Sequence, residues 1–106
     1  MNWILSYSKN AADDLKTLDN SQRIQVLKSV SKALMNPLPQ NEGGYGNPLG
    51  NKRSNNLTGC LKLKLKKLGL RIVYRLKRDQ NIMEVLAISA RDDEEVYNIV
   101  SSRLKN

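Results

Sequence analysis

The clearest pattern in the chain is the alternation of apolar and basic positions between residues 59 and 78. Leu61, Leu63 and Leu65 are each followed by a lysine, and a period of two is typical of a strand with one buried and one solvated face. A short turn ending at Gly69 leads into a second alternating run, because glycine accommodates a positive φ. We therefore predict an antiparallel hairpin with its apolar side chains on one face and its basic side chains on the other.

The N-terminal third of the sequence predicts a strand followed by two helices. Residues 2–8 are rich in aromatic and aliphatic side chains, as strands are. Apolar residues then recur at helical spacing in two runs, 11–18 and 24–34. Residues 19–21 separate the runs and supply side chains suited to capping the second helix. The short connection predicts an antiparallel helical hairpin.

A long loop is predicted between residues 37 and 56. This segment carries all three prolines and four of the six glycines of the chain, and both residue types interrupt regular structure. Neither flank is large enough to fold alone, so we expect a loop inside one domain that spans residues 1–106.

A further strand is predicted over residues 82–90. Strict alternation would place Val85 and Ala87 on one face of this strand, and Leu86 and Ile88 on the other.

The last helix is predicted to begin at Asp92 or Asp93, because aspartate favours the N-cap position. Glu94 and Glu95 would then lie in its first turn, where the helix dipole favours acids. The element order is strand, helix, helix, three meandering strands and helix. It predicts an α+β domain, with a small antiparallel-dominated sheet and helices packed on its apolar face.

Positive charge is concentrated in the predicted hairpin. The formal net charge is +8, and the stretch between Glu42 and Asp79 contains ten basic residues and no acid. Like charges opposite one another across a hairpin cost stability. A sheet that tolerates them is suited to face a polyanion such as RNA, DNA, an anionic membrane surface or an acidic protein.

The residue types present also exclude several site classes. The chain has no histidine, which rules out Ser-His and Cys-His nucleophiles and histidine metal sites. Cys60 is the single cysteine, and we expect it to be a small core residue. The acids cluster mainly at 13–14 and 92–95, as helix-start charges, and they suggest no metal or cofactor site on the basic sheet. No apolar run approaches a membrane span, so we expect an intracellular, soluble protein without a membrane partner.

Three short motifs follow one another in the second half of the chain. They are Lys62-Leu-Lys64, then Gly69-Leu-Arg71-Ile-Val-Tyr74, then Arg91 with Glu95-Val-Tyr97. In this order and spacing they resemble the RelE branch of the RelE/ParE toxins of bacterial toxin–antitoxin systems. The resemblance covers essentially the full length, including the early helix pair. The long segment 37–56 departs from the compact members of the family.

The resemblance implies a bacterial cytoplasmic toxin that cuts mRNA in the ribosomal A site. The ribosome, mRNA and a cognate antitoxin are its implied partners, the antitoxin in a hetero-oligomeric complex. By position, the implied catalytic residues are Lys62, Lys64, Arg71, Arg91 and Tyr97. Four further basic residues are expected to bind the RNA backbone, namely Lys66, Lys67, Arg75 and Lys77.

RNA can be cleaved without a metal when its own 2′-OH attacks the adjacent phosphorus. This chemistry needs a base, charge stabilisation at the phosphoryl oxygens and a proton for the leaving 5′-oxygen. Lys64 is the candidate base, because Lys62, Lys66 and Arg71 surround it in the predicted hairpin. Lys62 and Arg71 would hold the phosphate charge. Arg91 would stabilise developing charge, because a guanidinium gives up its proton reluctantly, and Tyr97 would stack on or orient a base of the substrate.

Two other classes of function stay open from the sequence. A ParE-like toxin would share the fold and inhibit DNA gyrase by binding, without ribonuclease activity. A non-catalytic RNA-binding module would need only the net charge and the strand alternation.

Overall fold

The computed structural model describes residues 2–52, 55–90 and 92–105, which form three α-helices and one five-stranded sheet. The elements in chain order are β1 (Ile4–Tyr7), α1 (Lys9–Thr17), α2 (Asn20–Leu34), β2 (Asn47–Lys52), β3 (Asn55–Leu65), β4 (Leu70–Lys77), β5 (Ile82–Ser89) and α3 (Asp93–Lys105). The strand order across the sheet is β1-β5-β4-β3-β2. Only the β1–β5 pair among these described strands is parallel. The predicted α+β class with an antiparallel-dominated sheet is confirmed.

The start of α2 is fixed by a capping box. The Asp19 carboxylate accepts a hydrogen bond from the Gln22 N–H at 2.8 Å, and the Gln22 side chain accepts one from the Asp19 N–H at 3.3 Å. Each bond satisfies a backbone donor that has no partner inside the helix. The predicted break and cap at residues 19–21 are therefore confirmed.

Two hydrophobic cores lie on opposite faces of the sheet. The first packs α1 and α2 against one face and includes Val26 and Val30 together with Ile72 and Tyr74. The second packs α3 against the other face and includes Val73, which is fully buried. The expectation that all helices share one apolar face was wrong, because the basic face of the hairpin is itself partly apolar. β4 is the middle strand of the sheet, so its side chains are covered on both sides.

A β-bulge in β5 changes the face of the sheet to which the following side chains point. Val73 pairs with Ala87, whereas the next residue, Tyr74, pairs with Val85, so Leu86 is an extra residue. Leu86 and Ala87 both enter the second core, while Val85 enters the first. The prediction of strict alternation here was wrong, since the bulge shifts the period by one residue.

The segment predicted as a long loop is instead largely structured. It holds a 3₁₀ turn (Gln40–Glu42) and β2, and β2 pairs antiparallel with β3, from Asn47 opposite Lys62 to Lys52 opposite Asn55. The Tyr74 hydroxyl donates a hydrogen bond to the Pro37 carbonyl at 2.8 Å and anchors the start of the segment in the core. The loop prediction was wrong because proline and glycine are tolerated in an edge strand such as β2, where half of the backbone groups need no partner strand.

Candidate functional site

Three of the five predicted catalytic side chains meet on the face of the sheet that α3 covers. Lys62 of β3 donates a hydrogen bond from Nζ to the Tyr97 hydroxyl at 3.3 Å, and Nζ lies 3.4 Å from Oδ2 of Asp93. Arg71 of β4 donates from Nε to the other carboxylate oxygen of Asp93. The Lys62 and Arg71 side chains are only 11% and 15% exposed. The cluster is therefore a partly enclosed cationic site held by two strands and the start of a helix.

Lys64 lies at the solvated edge of this cluster. It is exposed and stands directly opposite Arg71 in the β3–β4 register. Opposed residues in an antiparallel pair have Cβ atoms about 5 Å apart on the same face, so two like charges are held close together. The juxtaposition of cations expected from the sequence is present, and it favours binding of an anion between them.

An open groove continues from this cluster along the edge of β3 toward α2. Its volume is about 550 Å³. Its lining includes four lysines and an exposed tyrosine, namely Lys32, Lys62, Lys64, Lys66 and Tyr45. The Lys32 ammonium lies 5.5 Å from the centre of the Tyr45 ring. A groove of this composition suits a strand of nucleic acid, because cations pair with phosphates and an aromatic ring can stack on a base.

Asp93 is the site residue that the sequence reasoning missed. Asp92, not Asp93, caps α3, since its Oδ1 accepts a hydrogen bond from the Glu95 N–H at 2.9 Å. Burial disfavours the charged form of Asp93, but the hydrogen bond from Arg71 and the charge of Lys62 outweigh it, so the pKa of Asp93 lies below its ordinary value. Asp93 is therefore a carboxylate at neutral pH. The sequence offered one signal, a second aspartate directly after the capping aspartate Asp92.

Tyr97 is both a core residue and a member of the cluster. Its ring packs in the second core beside Val96 and Val100, and only 9% of the residue is exposed. Lys62 Nζ lies 5.7 Å from the ring centroid and contacts the hydroxyl. In this arrangement the hydroxyl reaches the cationic surface, whereas the ring stabilises the position of α3.

The remaining predicted residues are spread along the sheet. Arg91 lies outside the residues that the structure describes. Lys66 and Lys67 are exposed in the turn after β3, near Lys64. Arg75 and Lys77 lie toward the other end of β4, where their side chains are 2.7 Å and 3.7 Å from the carboxylate of Glu84. The predicted RNA-binding residues therefore form two separate groups.

Two further features concern metals and membranes. Within residues 2–52, 55–90 and 92–105, no three acidic, cysteine or histidine side chains are grouped so as to hold a metal ion. In the same ranges, no helix has the length and apolar character needed to cross a bilayer.

Cys60 is buried in the second core, as predicted, and burial raises the pKa of its thiol despite the opposing charge of Arg75.

Comparison with known proteins identifies the family. The family model described as the ParE toxin of type II toxin–antitoxin systems, parDE, matches residues 5–95. The chain belongs to the RelE/ParE toxins. The resemblance noted from the three sequence motifs is thereby confirmed.

Curated relatives of this RelE-like toxin span its full length. A RelE-like toxin protein of Escherichia coli is 26% identical over 105 residues, which cover 99% of this chain and 100% of the relative. The mRNA interferase toxin RelE of E. coli K12 is 24% identical over 104 residues, covering 98% and 99% of the two chains.

Solved structures of RelE share the fold of this toxin. A mutant of E. coli RelE in the free state superposes with a TM-score of 0.75 at 23% identity, covering 98% of this chain and 99% of that one. The same mutant bound to an antitoxin peptide, RelBc, gives a TM-score of 0.71 at 24% identity, covering 92% and 93%.

Proposed function

We propose that this RelE-like toxin is a ribosome-dependent endoribonuclease that cuts mRNA in the A site. The observation that carries the proposal is the convergence of Lys62, Arg71 and Tyr97 on one face of the sheet, with Lys64 beside them. A relative that covers the full chain is named an mRNA interferase, which supports the same reaction. The groove along β3 is lined by further lysines, which can bind the phosphates of the RNA strand.

The reaction follows from placing a scissile phosphate against these cations. The Lys64 amine takes the proton of the 2′-OH, the O2′–P bond forms and the P–O5′ bond breaks. The products are a 2′,3′-cyclic phosphate and a 5′-oxygen that takes up a proton from water. Lys62 and Arg71 stabilise the negative charge that grows on the phosphoryl oxygens. The Tyr97 hydroxyl orients the Lys62 ammonium. Arg91, assigned from the family resemblance, adds stabilisation of the developing charge.

Lysine and arginine side chains are poor proton donors and acceptors at neutral pH, and this accounts for the proposed dependence of cleavage on the ribosome. A lysine is mostly protonated at neutral pH, so the reaction needs help beyond proton transfer. Correct positioning of the reacting groups can supply about 7–11 kcal/mol in ideal cases. An mRNA bent by the ribosome supplies that positioning, and free RNA does not.

The test is cleavage of mRNA bound to programmed ribosomes. We expect Lys64→Ala and Arg91→Ala each to lower the cleavage rate by roughly 100-fold or more. Lys28→Ala is the matched control, because it removes one exposed positive charge from α2, outside the basic strands, and it should cut like the wild type. Undiminished cleavage by both site variants would contradict the site assignment.

A gyrase-directed activity is the second candidate. It is favoured by the match of residues 5–95 to a model described as the ParE toxin. A supercoiling assay with purified gyrase separates the two candidates. Inhibited supercoiling together with intact ribosome-bound mRNA would favour the ParE-like activity and exclude the ribonuclease.

We also propose a cognate antitoxin as the partner that holds the toxin inactive in the bacterial cytoplasm. A related toxin is seen with an antitoxin peptide, and the net charge of +8 suits an acidic, partly disordered partner. Such a segment would lie on the helices or fill the basic groove, in a hetero-oligomeric complex. Charge neutralisation predicts that Lys64→Ala and Lys66→Ala weaken binding of the purified antitoxin more than Lys28→Ala does.

A further inference from the structure

The phosphate-binding donors proposed above already have an anionic partner within the chain. One oxygen of the Asp93 carboxylate accepts a hydrogen bond from Arg71 Nε, and the other lies 3.4 Å from Lys62 Nζ. A carboxylate and a phosphate present similar pairs of oxygens to guanidinium and ammonium groups. Asp93 therefore bridges the two cations in the way that two phosphoryl oxygens of a substrate would.

The exposed position of Asp93 allows its carboxylate to move away from Lys62 and Arg71. Its side chain is 40% exposed, whereas Lys62 and Arg71 are 11% and 15% exposed. Asp93 is also the first residue of α3, directly after the capping residue Asp92. A change of its side-chain torsion angles moves the carboxylate into water without breaking the helix or the sheet.

We propose that Asp93 is a built-in competitor of the substrate phosphate. Its carboxylate occupies Lys62 and Arg71 in the free toxin, and RNA binds only when its phosphate displaces that carboxylate. Asp93 thereby lowers the affinity of the site for free single-stranded RNA. The site then binds preferentially an RNA strand that the ribosome holds in position. The nature of the ligand rests on the proposed function, whereas the competition rests on the contacts of Asp93.

A purely structural role for the same ion pairs makes the opposite prediction. If Asp93 served only to hold Lys62 and Arg71 in place, its loss would let these side chains move, and the affinity for RNA would fall or stay the same. If Asp93 competes with phosphate, its neutralisation raises the affinity. The sign of the change therefore separates the two roles.

The experiment compares Asp93→Asn with Asp92→Asn in the full-length toxin. Both variants remove one negative charge from the same helix start, and asparagine caps a helix about as well as aspartate. The probe is a short, fluorescent, 2′-O-methylated single-stranded RNA, which cannot be cleaved by 2′-OH attack, and binding is followed by anisotropy. Removing a charge a few ångströms from the bound phosphate should tighten binding by Asp93→Asn about tenfold. Asp92→Asn should stay within about twofold of the wild type.

Two further variants keep the test decisive. Asp93→Glu keeps the charge and should bind RNA like the wild type, and Asp93→Ser replaces Asp93→Asn if the latter does not fold. Unchanged or weaker binding by the neutral variants overturns the proposal, as does an equal gain in Asp92→Asn. If affinity rises as expected but ribosome-bound mRNA stays intact with the wild type, the proposed ribonuclease falls and the competition by Asp93 stands.

Discussion

The ion pair between Asp14 and Arg103 is expected to be the polar contact on which the placement of α3 most depends. Arg103 Nη1 and Nη2 donate hydrogen bonds to the two carboxylate oxygens of Asp14 at 2.8 Å and 3.0 Å. The Ile88 N–H donates to the same carboxylate at 3.0 Å, and Arg103 Nη1 also donates to the Leu86 carbonyl at 2.8 Å. This cluster joins α1, the middle of β5 and the last turn of α3. Asp14→Ala therefore removes this acceptor from the Ile88 N–H and leaves the Arg103 guanidinium with the Leu86 carbonyl but without its counter-ion.

The expected loss of stability follows from the burial of the pair. Exposed ion pairs contribute about 0–1 kcal/mol, whereas breaking a fully buried pair costs about 3–5 kcal/mol. The side chains of Arg103 and Asp14 are 23% and 21% exposed, which places this pair between the two limits. We expect Asp14→Ala to lower the free energy of unfolding by about 2–3 kcal/mol. With a urea dependence of about 1–3 kcal/mol per molar, the unfolding midpoint should fall by roughly 0.7–3 M.

The assay is urea unfolding of the purified toxin followed by circular dichroism. Asp13→Ala is the matched control, because Asp13 is the exposed neighbour on the same helix, and it should change the free energy of unfolding by less than about 0.5 kcal/mol. The double variant with Arg103→Leu should be less destabilised than the sum of the two single variants by at least about 1 kcal/mol. The reasoning would be refuted if Asp14→Ala lowered the free energy of unfolding no more than Asp13→Ala does. It would also be refuted if the effects of Asp14→Ala and Arg103→Leu were additive in the double variant.

Three further outcomes test other parts of the structure. The pKa of Asp93 is lower in the folded state than in the unfolded state, so its ion pairs contribute their full stability above the unfolded-state pKa. The difference in unfolding free energy between the wild type and Asp93→Asn should therefore be constant near neutral pH and narrow as pH falls below about 5 toward the folded-state pKa. A Cβ at Gly46 would overlap the Tyr74 hydroxyl oxygen, so Gly46→Ala should lower the free energy of unfolding in urea by about 1–3 kcal/mol, and by less in a Tyr74→Phe background. Burial raises the pKa of the Cys60 thiol, so iodoacetamide should label the native protein slowly and the urea-unfolded protein fast; fast native labelling would contradict the placement of Cys60 in the core.

The local parts of the fold were predictable because local chemistry determines them. The cap at Asp19 needs only a side chain three residues before a free N–H, and the sequence supplies it. The β3–β4 hairpin depends on a period of two and a glycine turn, and the register that sets Lys64 opposite Arg71 follows from both. Each of these features lies within a stretch of about twenty residues, and over that length the pattern of apolar and polar residues is informative.

The features that were missed depend on tertiary contacts. β2 has a weak strand sequence and is formed by pairing with β3. The bulge at Leu86 is a property of the β4–β5 register and leaves no mark in the order of apolar residues. Asp93 looked like a helix-start charge, and its contact with Arg71 follows only from the packing of α3 across the sheet.

The parallel pairing of the first strand with the last has a consequence for the biosynthesis of the toxin. Tyr7 leaves the ribosome well before Val85, its partner in the sheet. The nascent chain therefore cannot complete this sheet until β5 has been translated, since the contact joins Tyr7 to Val85. The sheet of this toxin is therefore completed only by a contact that forms late in synthesis.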